Sequence, residues 1–155
     1  MSPRTLGLPG LDLHPYLGPD DDPEPRPGGW VAAVSVVLRE ADPAGTPAGQ
    51  PYPPALLLIR RAAHDRDPWS GHMALPGGRR DPTDTSLLQT AYRETLEEVD
   101  IELARLGRTL GRLDPVAPRN AHLPPLTILP LVFAVPPGTR ARIAAPAEVA
   151  ELHWV

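Results

Sequence analysis

The chain has 155 residues, a length that suits a single domain with its own hydrophobic core. Its formal net charge of −4 gives no support for a nucleic-acid-binding surface, which would favour a basic face. The absence of cysteine excludes disulfides, thiolate catalysis and cysteine-based zinc sites. No apolar run approaches the roughly 18 residues of a membrane-spanning helix, and no signal peptide is visible. We therefore expect a cytoplasmic protein with no membrane partner.

The N-terminal part of the chain differs in composition from the rest. Residues 1–29 are rich in proline, glycine and aspartate and show no periodicity, so we expect an extended or partly disordered arm with a solvated acidic run. Apolar, β-branched segments then predict strands at residues 30–38, 55–61 and 72–75. Polar and proline-rich stretches at 40–54 and 62–71 predict loops, and the glycine pair at 77–78 predicts a turn.

The strongest helix signal covers residues 85–99, with a polar residue at 84–86 as its cap. On a helical projection, one side carries the apolar residues Leu88, Tyr92, Leu96 and Val99. Glu94, Glu97 and Glu98 lie on the opposite side, within an arc of about 100°. This pattern predicts an amphipathic helix whose three glutamates share one face.

Three more strands are predicted, at residues 107–113, 127–135 and 151–155. Strands on both sides of one central helix favour an α/β sandwich with a mixed sheet. We expect residues 30–155 to form this domain. The chain stops within an apolar, strand-like segment, so we expect either a truncation or the absence of a closing C-terminal helix.

The three glutamates are the main candidates for chemistry. Like charges at this helical spacing repel one another, and a solvated helix face is the simplest interpretation. Two features favour a metal site instead: Arg93 precedes the first glutamate, and a Gly-Gly turn with Arg79, Arg80 and Asp81 precedes the helix. Clustered carboxylates suit hard cations such as Mg²⁺ or Mn²⁺.

Residues 78–101 resemble the Nudix box, whose pattern is G-x5-E-x7-R-E-U-x-E-E-x-G-U, where U is a bulky apolar residue. Gly78 opens the pattern, and residues 93–98 read Arg-Glu-Thr-Leu-Glu-Glu. The sequence departs from the pattern in three ways: Asp84 stands where Glu is usual, eight residues rather than seven separate it from Arg93, and Asp100 replaces a glycine. The resemblance implies a Nudix-type α/β/α sandwich and a pyrophosphohydrolase, and we expect activity to survive these changes.

The resemblance also implies roles for individual residues. Glu94, Glu97 and Glu98, with the carbonyl of Gly77, would bind one to three Mg²⁺ (or Mn²⁺) ions. Arg93 would pair with a glutamate, most naturally Glu94, and hold its orientation. Asp84 would support the helix start or an outer metal shell. The catalytic base could be a box glutamate or an acid outside the box, where Glu148 and Glu151 are the late candidates.

The longer turn resembles the coenzyme A pyrophosphatase branch of the family, and so do residues 60–78, 110–115 and 130–133. Residues 68–72 depart from the usual sequence of that branch. The resemblance implies coenzyme A or an acyl-CoA as substrate. Five arginines are candidates for phosphate contacts, since Arg binds phosphate in a bidentate manner: Arg61, Arg66, Arg79, Arg80 and Arg119. Trp69 could stack on a base or pack in the core, and His122 could face a ligand.

Alternatives stay open at this point. The substrate could be another nucleotide, namely ADP-ribose, a dinucleoside polyphosphate or a nucleoside triphosphate. A non-catalytic, nucleotide-sensing Nudix-like domain is the rival from another class, although all three box glutamates are present. An interaction module built on the proline-rich arm is a third. The assembly state is open, with a homodimer as one option.

Overall fold

The computed structural model describes residues 12–41, 54–119 and 123–155. In chain order the elements are strands β1 (Trp30–Arg39), β2 (Ala55–Arg61), β3 (Met73–Ala74) and β4 (Gly77–Arg79), helices α1 (Leu87–Val99) and α2 (Leu103–Leu106), and strands β5 (Arg108–Arg112), β6 (Leu126–Val135) and β7 (Val149–Trp154). No helix within these ranges is long and apolar enough to cross a membrane.

The sheet is mixed and is built around β1. Strand β1 runs parallel to β6 over ten residue pairs, and β6 pairs antiparallel with β5. On its other edge β1 pairs with two strands in turn: with β4 at Ala32–Val34, and with β2 at Leu38–Arg39. Strand β2 continues into antiparallel pairs with β3 and β7. The mixed-sheet α/β architecture predicted from the sequence is confirmed.

The core lies between this sheet and the helices. Residues paired in register project to the same face, and Ala33, Val37, Leu129 and Phe133 of β1 and β6 are fully buried there. Leu87, Ala91 and Val99 of α1 and Leu103 of α2 complete the same cluster. The core therefore fixes α1 against β1 and β6.

The predicted strands at 30–38, 55–61, 107–113, 127–135 and 151–155 are all present, with shifts of one or two residues at most ends. Two elements were not predicted: the helix α2 and the strand β4, which occupies the predicted glycine turn. Strand β4 lies so close to β1 that a Cβ on Gly77 would come within 2.2 Å of the Ala33 carbonyl oxygen. Its glycines therefore serve strand packing rather than a turn.

Helix α1 begins two residues later than predicted. The side chain of Ser86 caps it by accepting a hydrogen bond from the Gln89 N–H at 3.2 Å. The predicted division of its faces is partly wrong: Leu96 is 43% exposed, whereas Glu98 is only 3% exposed. A pattern of polarity places glutamate in water, but here the N–H of Gly77 donates to the Glu98 carboxylate at 2.9 Å and offsets part of the cost of burial.

Residues 12–29, which we call the N-terminal segment, pack on the domain. His14 forms a backbone bridge to Arg112 of β5, and a 3₁₀ turn follows at Pro19–Asp21. The expectation of a solvated acidic run is wrong for Asp22, whose side chain is 5% exposed. The rest of the predicted arm and most of the predicted loop at 40–54 lie outside the described residues.

Candidate active site

Two of the three box glutamates of α1, Glu94 and Glu98, face β4. Glu98 is buried and accepts the Gly77 N–H, and the side chain of Glu94 is 13% exposed beside Gly78. A Cβ on Gly78 would lie 2.5 Å from the Glu94 Oε1 atom, so this position has room only for glycine while Glu94 keeps its place. The side chain of Glu97 is 56% exposed at the rim. Strand β4 therefore lies against two of the three carboxylates, those of Glu94 and Glu98.

Arg93 links these carboxylates to the turn before the helix. Its Nη1 donates to Glu94 at 2.8 Å and to Glu97 at 3.2 Å. Its Nε and Nη2 donate to the two carboxylate oxygens of Asp84 at 3.1 and 2.9 Å, and Nη2 also donates to the Arg79 carbonyl. The predicted pairing of Arg93 with Glu94 is thus present, and hydrogen bonds to Asp84 raise the pKa of the guanidinium.

Asp84 is buried, and its carboxylate accepts hydrogen bonds from several neighbouring residues. We call the Arg93 guanidinium, with its hydrogen bonds to Asp84 on one side and to Glu94 and Glu97 on the other, the Arg93 fork. The Oδ2 atom of Asp84 also accepts from the Asp81 N–H and the Thr90 hydroxyl, each at 2.9 Å. Burial pushes the pKa of its carboxyl upward, but these hydrogen bonds outweigh that effect and hold the pKa below its usual value. The carboxylate stays charged and fixes Arg93 from behind.

The electrostatics of the glutamates differ from that of Asp84. Burial raises the pKa of Glu98 to about 8, against the lowering effect of the Gly77 N–H, and the charges of Glu94 and Glu148 raise it further. Burial likewise raises the pKa of Glu94, against the pull of Arg93. Carboxylates held together in this way repel one another, and their hard oxygen donors match Mg²⁺ or Mn²⁺. The residues present therefore fit a divalent cation.

The predicted metal set is only partly assembled. Glu94, Glu98 and Gly77 lie together at β4, while Glu97 is directed to Arg93. Over residues 12–41, 54–119 and 123–155, no three His, Asp or Glu side chains form a complete cluster for a metal ion.

The two late acids have different surroundings. Glu148 is exposed, its carbonyl oxygen accepts from the Ala62 N–H at 2.8 Å, and its charge raises the pKa of both Glu94 and Glu98. Glu151 is held by Arg60 and His153, and its pKa is lowered to about 2 by these partners, Arg60 first. Of the two, Glu148 is the acid whose charge contributes to the raised pKa of Glu94 and Glu98.

The five candidate arginines do not form one cluster. Arg61 is tied to Asp67 through Nε at 2.9 Å and Nη2 at 2.7 Å, although its charge still lowers the pKa of Glu98. Arg80 donates to the carbonyls of Asp84 and Thr85. These two side chains have structural partners. The three others, Arg66, Arg79 and Arg119, are exposed.

Arg79 borders a cleft of about 610 Å³ between the N-terminal segment and the turn at residues 79–84. The guanidinium of Arg79 lies 3.4 Å from the ring centroid of Trp30, which places one of its faces on the indole. Because Arg79 is exposed, its N–H groups remain accessible from the cleft. Trp69 is half-buried in the loop after β2, and His122 lies outside the described residues.

The sequence pattern indicated only part of the role of Asp84 and no role for Asp22. Asp84 was expected only at the helix start or an outer metal shell, yet it carries the Arg93 fork. The eight-residue spacing to Arg93 was the available signal. Asp22 also contacts the start of α1, at 2.9 Å from the Leu87 N–H. Nothing in its local sequence pointed to this contact, because the two residues are far apart in the chain.

Comparison with known proteins places this geometry in a family. The NUDIX domain model matches residues 29–155. An uncharacterized protein of Schizosaccharomyces pombe is 37% identical over 95% of this chain and 47% of its own length. The uncharacterized Nudix hydrolase NudL of Yersinia enterocolitica is 41% identical over 88% of this chain and 64% of its own length. The chain thus spans about half to two thirds of the length of these relatives.

Solved structures share the fold. An Ap4A hydrolase binary complex from C. elegans superposes with a TM-score of 0.57 at 20% identity, covering 81% of this chain and 78% of that one. The NUDIX domain of Shewanella oneidensis NrtR complexed with ADP ribose gives a TM-score of 0.54 at 20% identity, covering 99% and 82%. With the family model over most of its length, the chain belongs to the Nudix family.

Proposed function

We propose that this chain is a metal-dependent hydrolase that cleaves a pyrophosphate bond in a nucleoside diphosphate linked to a further group X. The observation that carries the proposal is the Arg93 fork, which Asp84 holds on one side and which holds Glu94 and Glu97 on the other. Such a fork is needed where carboxylates must keep one orientation, because Arg has a fixed geometry of donors.

Nudix hydrolases generally use divalent metals such as Mg²⁺ or Mn²⁺. Here Glu94, Glu97 and Glu98, with the Gly77 carbonyl, would hold the ion. When bound, the metal neutralises the pyrophosphate charge and makes a water molecule more acidic. Arg93 would orient Glu94 and Glu97. The Gly77 N–H would keep the Glu98 carboxylate aimed along β4.

The attacking water also needs a proton acceptor. We propose Glu148 for this role, because it is exposed and electrostatically coupled to both Glu94 and Glu98. Its carboxylate would take the proton from water as the water oxygen attacks phosphorus, while the bond from that phosphorus to the bridging oxygen breaks and the other phosphate leaves with the bridging oxygen. Its backbone is fixed to the end of β2 by the Ala62 N–H, which would hold it over the site.

For the substrate we propose coenzyme A or an acyl-CoA. The support is the resemblance of residues 60–78 to the coenzyme A branch and the presence of the exposed Arg79 beside the site. Arg79 is the best placed of the candidate arginines, since Trp30 supports its guanidinium and the cleft beside it can hold part of X. Arg66 and Arg119 are exposed candidates whose guanidinium groups have no structural partner within the described part of the chain. Arg61 and Arg80 would contact phosphate only by exchanging their present partners. A cytoplasmic location and an optional homodimer belong to the same proposal.

Two observations favour specific alternatives. The fold is shared with an Ap4A hydrolase, so dinucleoside polyphosphates belong among the candidates, with ADP-ribose and nucleoside triphosphates. It is also shared with a NrtR domain in complex with ADP ribose. This likeness favours a nucleotide-sensing domain as the second candidate function.

A substrate panel tests the proposal. Purified protein with Mg²⁺ or Mn²⁺ is offered coenzyme A, ADP-ribose, diadenosine polyphosphates and nucleoside triphosphates, and the phosphate products are identified. The variants Glu97→Gln and Glu98→Gln should lose cleavage, and Glu102→Gln, at an exposed position whose ion pair is with Arg105, should keep it. Tight nucleotide binding without cleavage of any compound would favour the sensor.

A further inference from the structure

The N-terminal segment lies almost entirely outside the region matched by the family model, and yet one of its side chains is inserted beside the candidate catalytic helix. The Oδ2 atom of Asp22 accepts the backbone N–H of Leu87, the first residue of α1, at 2.9 Å. Its Oδ1 atom accepts from the Tyr16 hydroxyl at 2.9 Å. With 5% of its side chain exposed, Asp22 is a buried acceptor rather than part of a solvated run.

This contact adds a second acceptor to the cap of α1. The first N–H groups of any helix lack a partner within the helix. The Ser86 hydroxyl satisfies the N–H of Gln89, and Asp22 satisfies that of Leu87 from a distant part of the chain. A negative charge is also favourable at a helix N-terminus, where the backbone dipoles concentrate positive charge.

Asp22 also touches the turn that carries the Arg93 fork. It lies 3.8 Å from Nη1 of Arg80, whose remaining donors bind the carbonyl oxygens of Asp84 and Thr85. The side chain of Asp84 in turn holds Arg93. One carboxylate thus joins the start of the helix to the turn that orients the metal-facing residues.

We propose that Asp22 is a positioning residue of the candidate active site, an inference that rests on the proposed function. From Leu87 to Glu98 the helix rises about 16 Å, at 1.5 Å per residue, so Asp22 does not reach the metal itself. It acts through α1 and through Arg80, by keeping the register of Arg93 and the glutamates against β4.

The test compares Asp22→Ala and Asp22→Asn with the wild type, and uses Asp20→Ala as a matched control, because Asp20 is an exposed aspartate of the same acidic run. Mn²⁺ affinity is measured by electron paramagnetic resonance, amide hydrogen exchange is followed along α1, and kcat and KM are determined. All measurements are made at a temperature where circular dichroism shows every variant fully folded.

We expect Asp22→Ala to weaken Mn²⁺ binding about fivefold, the factor that corresponds to about 1 kcal/mol for a lost cap. Its kcat should fall while KM at saturating metal is unchanged, and the first turn of α1 should exchange faster. Asp22→Asn keeps an acceptor oxygen for Leu87, so its Mn²⁺ affinity and its kcat should be close to those of the wild type. Asp20→Ala should match the wild type.

A lower melting temperature of Asp22→Ala, with Mn²⁺ affinity and kcat equal to those of the wild type, would overturn the inference and leave Asp22 a purely structural cap. Failure of the proposed function is distinguishable from this, since the wild type itself would then neither bind Mn²⁺ nor cleave any compound of the panel.

Discussion

Replacing Asp84 by asparagine is the sharpest perturbation of the described network. The side chain of Asp84 is 6% exposed and accepts four hydrogen bonds, two from Arg93, one from the Asp81 N–H and one from the Thr90 hydroxyl. Asparagine removes the charge and replaces one acceptor oxygen by an N–H donor, which then faces Arg93 or the Asp81 N–H.

The expected cost follows from this burial. Breaking a buried ion pair by changing one partner destabilises a protein by about 3–5 kcal/mol. We expect the lower end, about 3 kcal/mol, because Arg93 keeps Glu94 and Glu97 as partners. For a chain of this size each kcal/mol shifts Tm by about 2–4 °C, so Asp84→Asn should melt about 6–12 °C below the wild type.

Thermal unfolding followed by circular dichroism in metal-free buffer measures this difference, with Asp20→Asn as the control at an exposed aspartate. The kcat of Asp84→Asn should also fall, since Arg93 is free to rotate away from the glutamates. A Tm within 2 °C of the wild type, or an unchanged kcat, would refute the reasoning that Asp84 holds the fork.

Three further predictions concern single positions around the site. Because the pKa of Glu98 is raised from its ordinary value near 4.5 to about 8, the metal-free protein should lose stability as pH rises from about 5 to 8, and Glu98→Gln should remove most of that loss in urea titrations at several pH values. Gly78→Ala should lower kcat at least about tenfold and lower Tm by a few degrees, since the new methyl group displaces the Glu94 side chain from its hydrogen bond to Arg93; an unchanged kcat would show that cleavage does not depend on this position of Glu94. Asp100 adopts left-handed geometry at φ 58°, so Asp100→Gly should relieve strain, lose only an exposed ion pair to Arg142, and raise Tm by a few degrees in calorimetry, whereas a clear fall would assign weight to that pair.

The sequence predicted most of the fold because hydrophobic period and turn residues are local signals. The strands β1 and β2 and the helix α1 each follow from a clear pattern over at least seven residues. Strand β4 did not, since a Gly-Gly pair is typical of turns. Its strand geometry depends on the close approach of β1 and Glu94, which only the assembled structure brings together.

The candidate site shows the same division. The Arg93–Glu94 pair was predicted from the resemblance to the box, and not from helix geometry, since neighbouring residues of a helix do not ordinarily face each other. The burial of Glu98 was not, because a helical projection assigns charge to solvent, and here Gly77 of another element supplies the compensating N–H. The contact of Asp22 with Leu87 joins residues 65 positions apart, so no local pattern encodes it.

The central claim is that the Nudix-box glutamates support metal-dependent cleavage of a pyrophosphate bond. The most direct measurement is the cleavage rate of the best substrate of the panel as Mg²⁺ is titrated from zero, for the wild type, Glu98→Gln and Glu102→Gln. The account predicts no cleavage without metal, saturation with metal, a loss of about 100-fold or more in kcat for Glu98→Gln, and an unchanged Glu102→Gln. Cleavage that is independent of metal, or that survives Glu98→Gln at the wild-type rate, would contradict it.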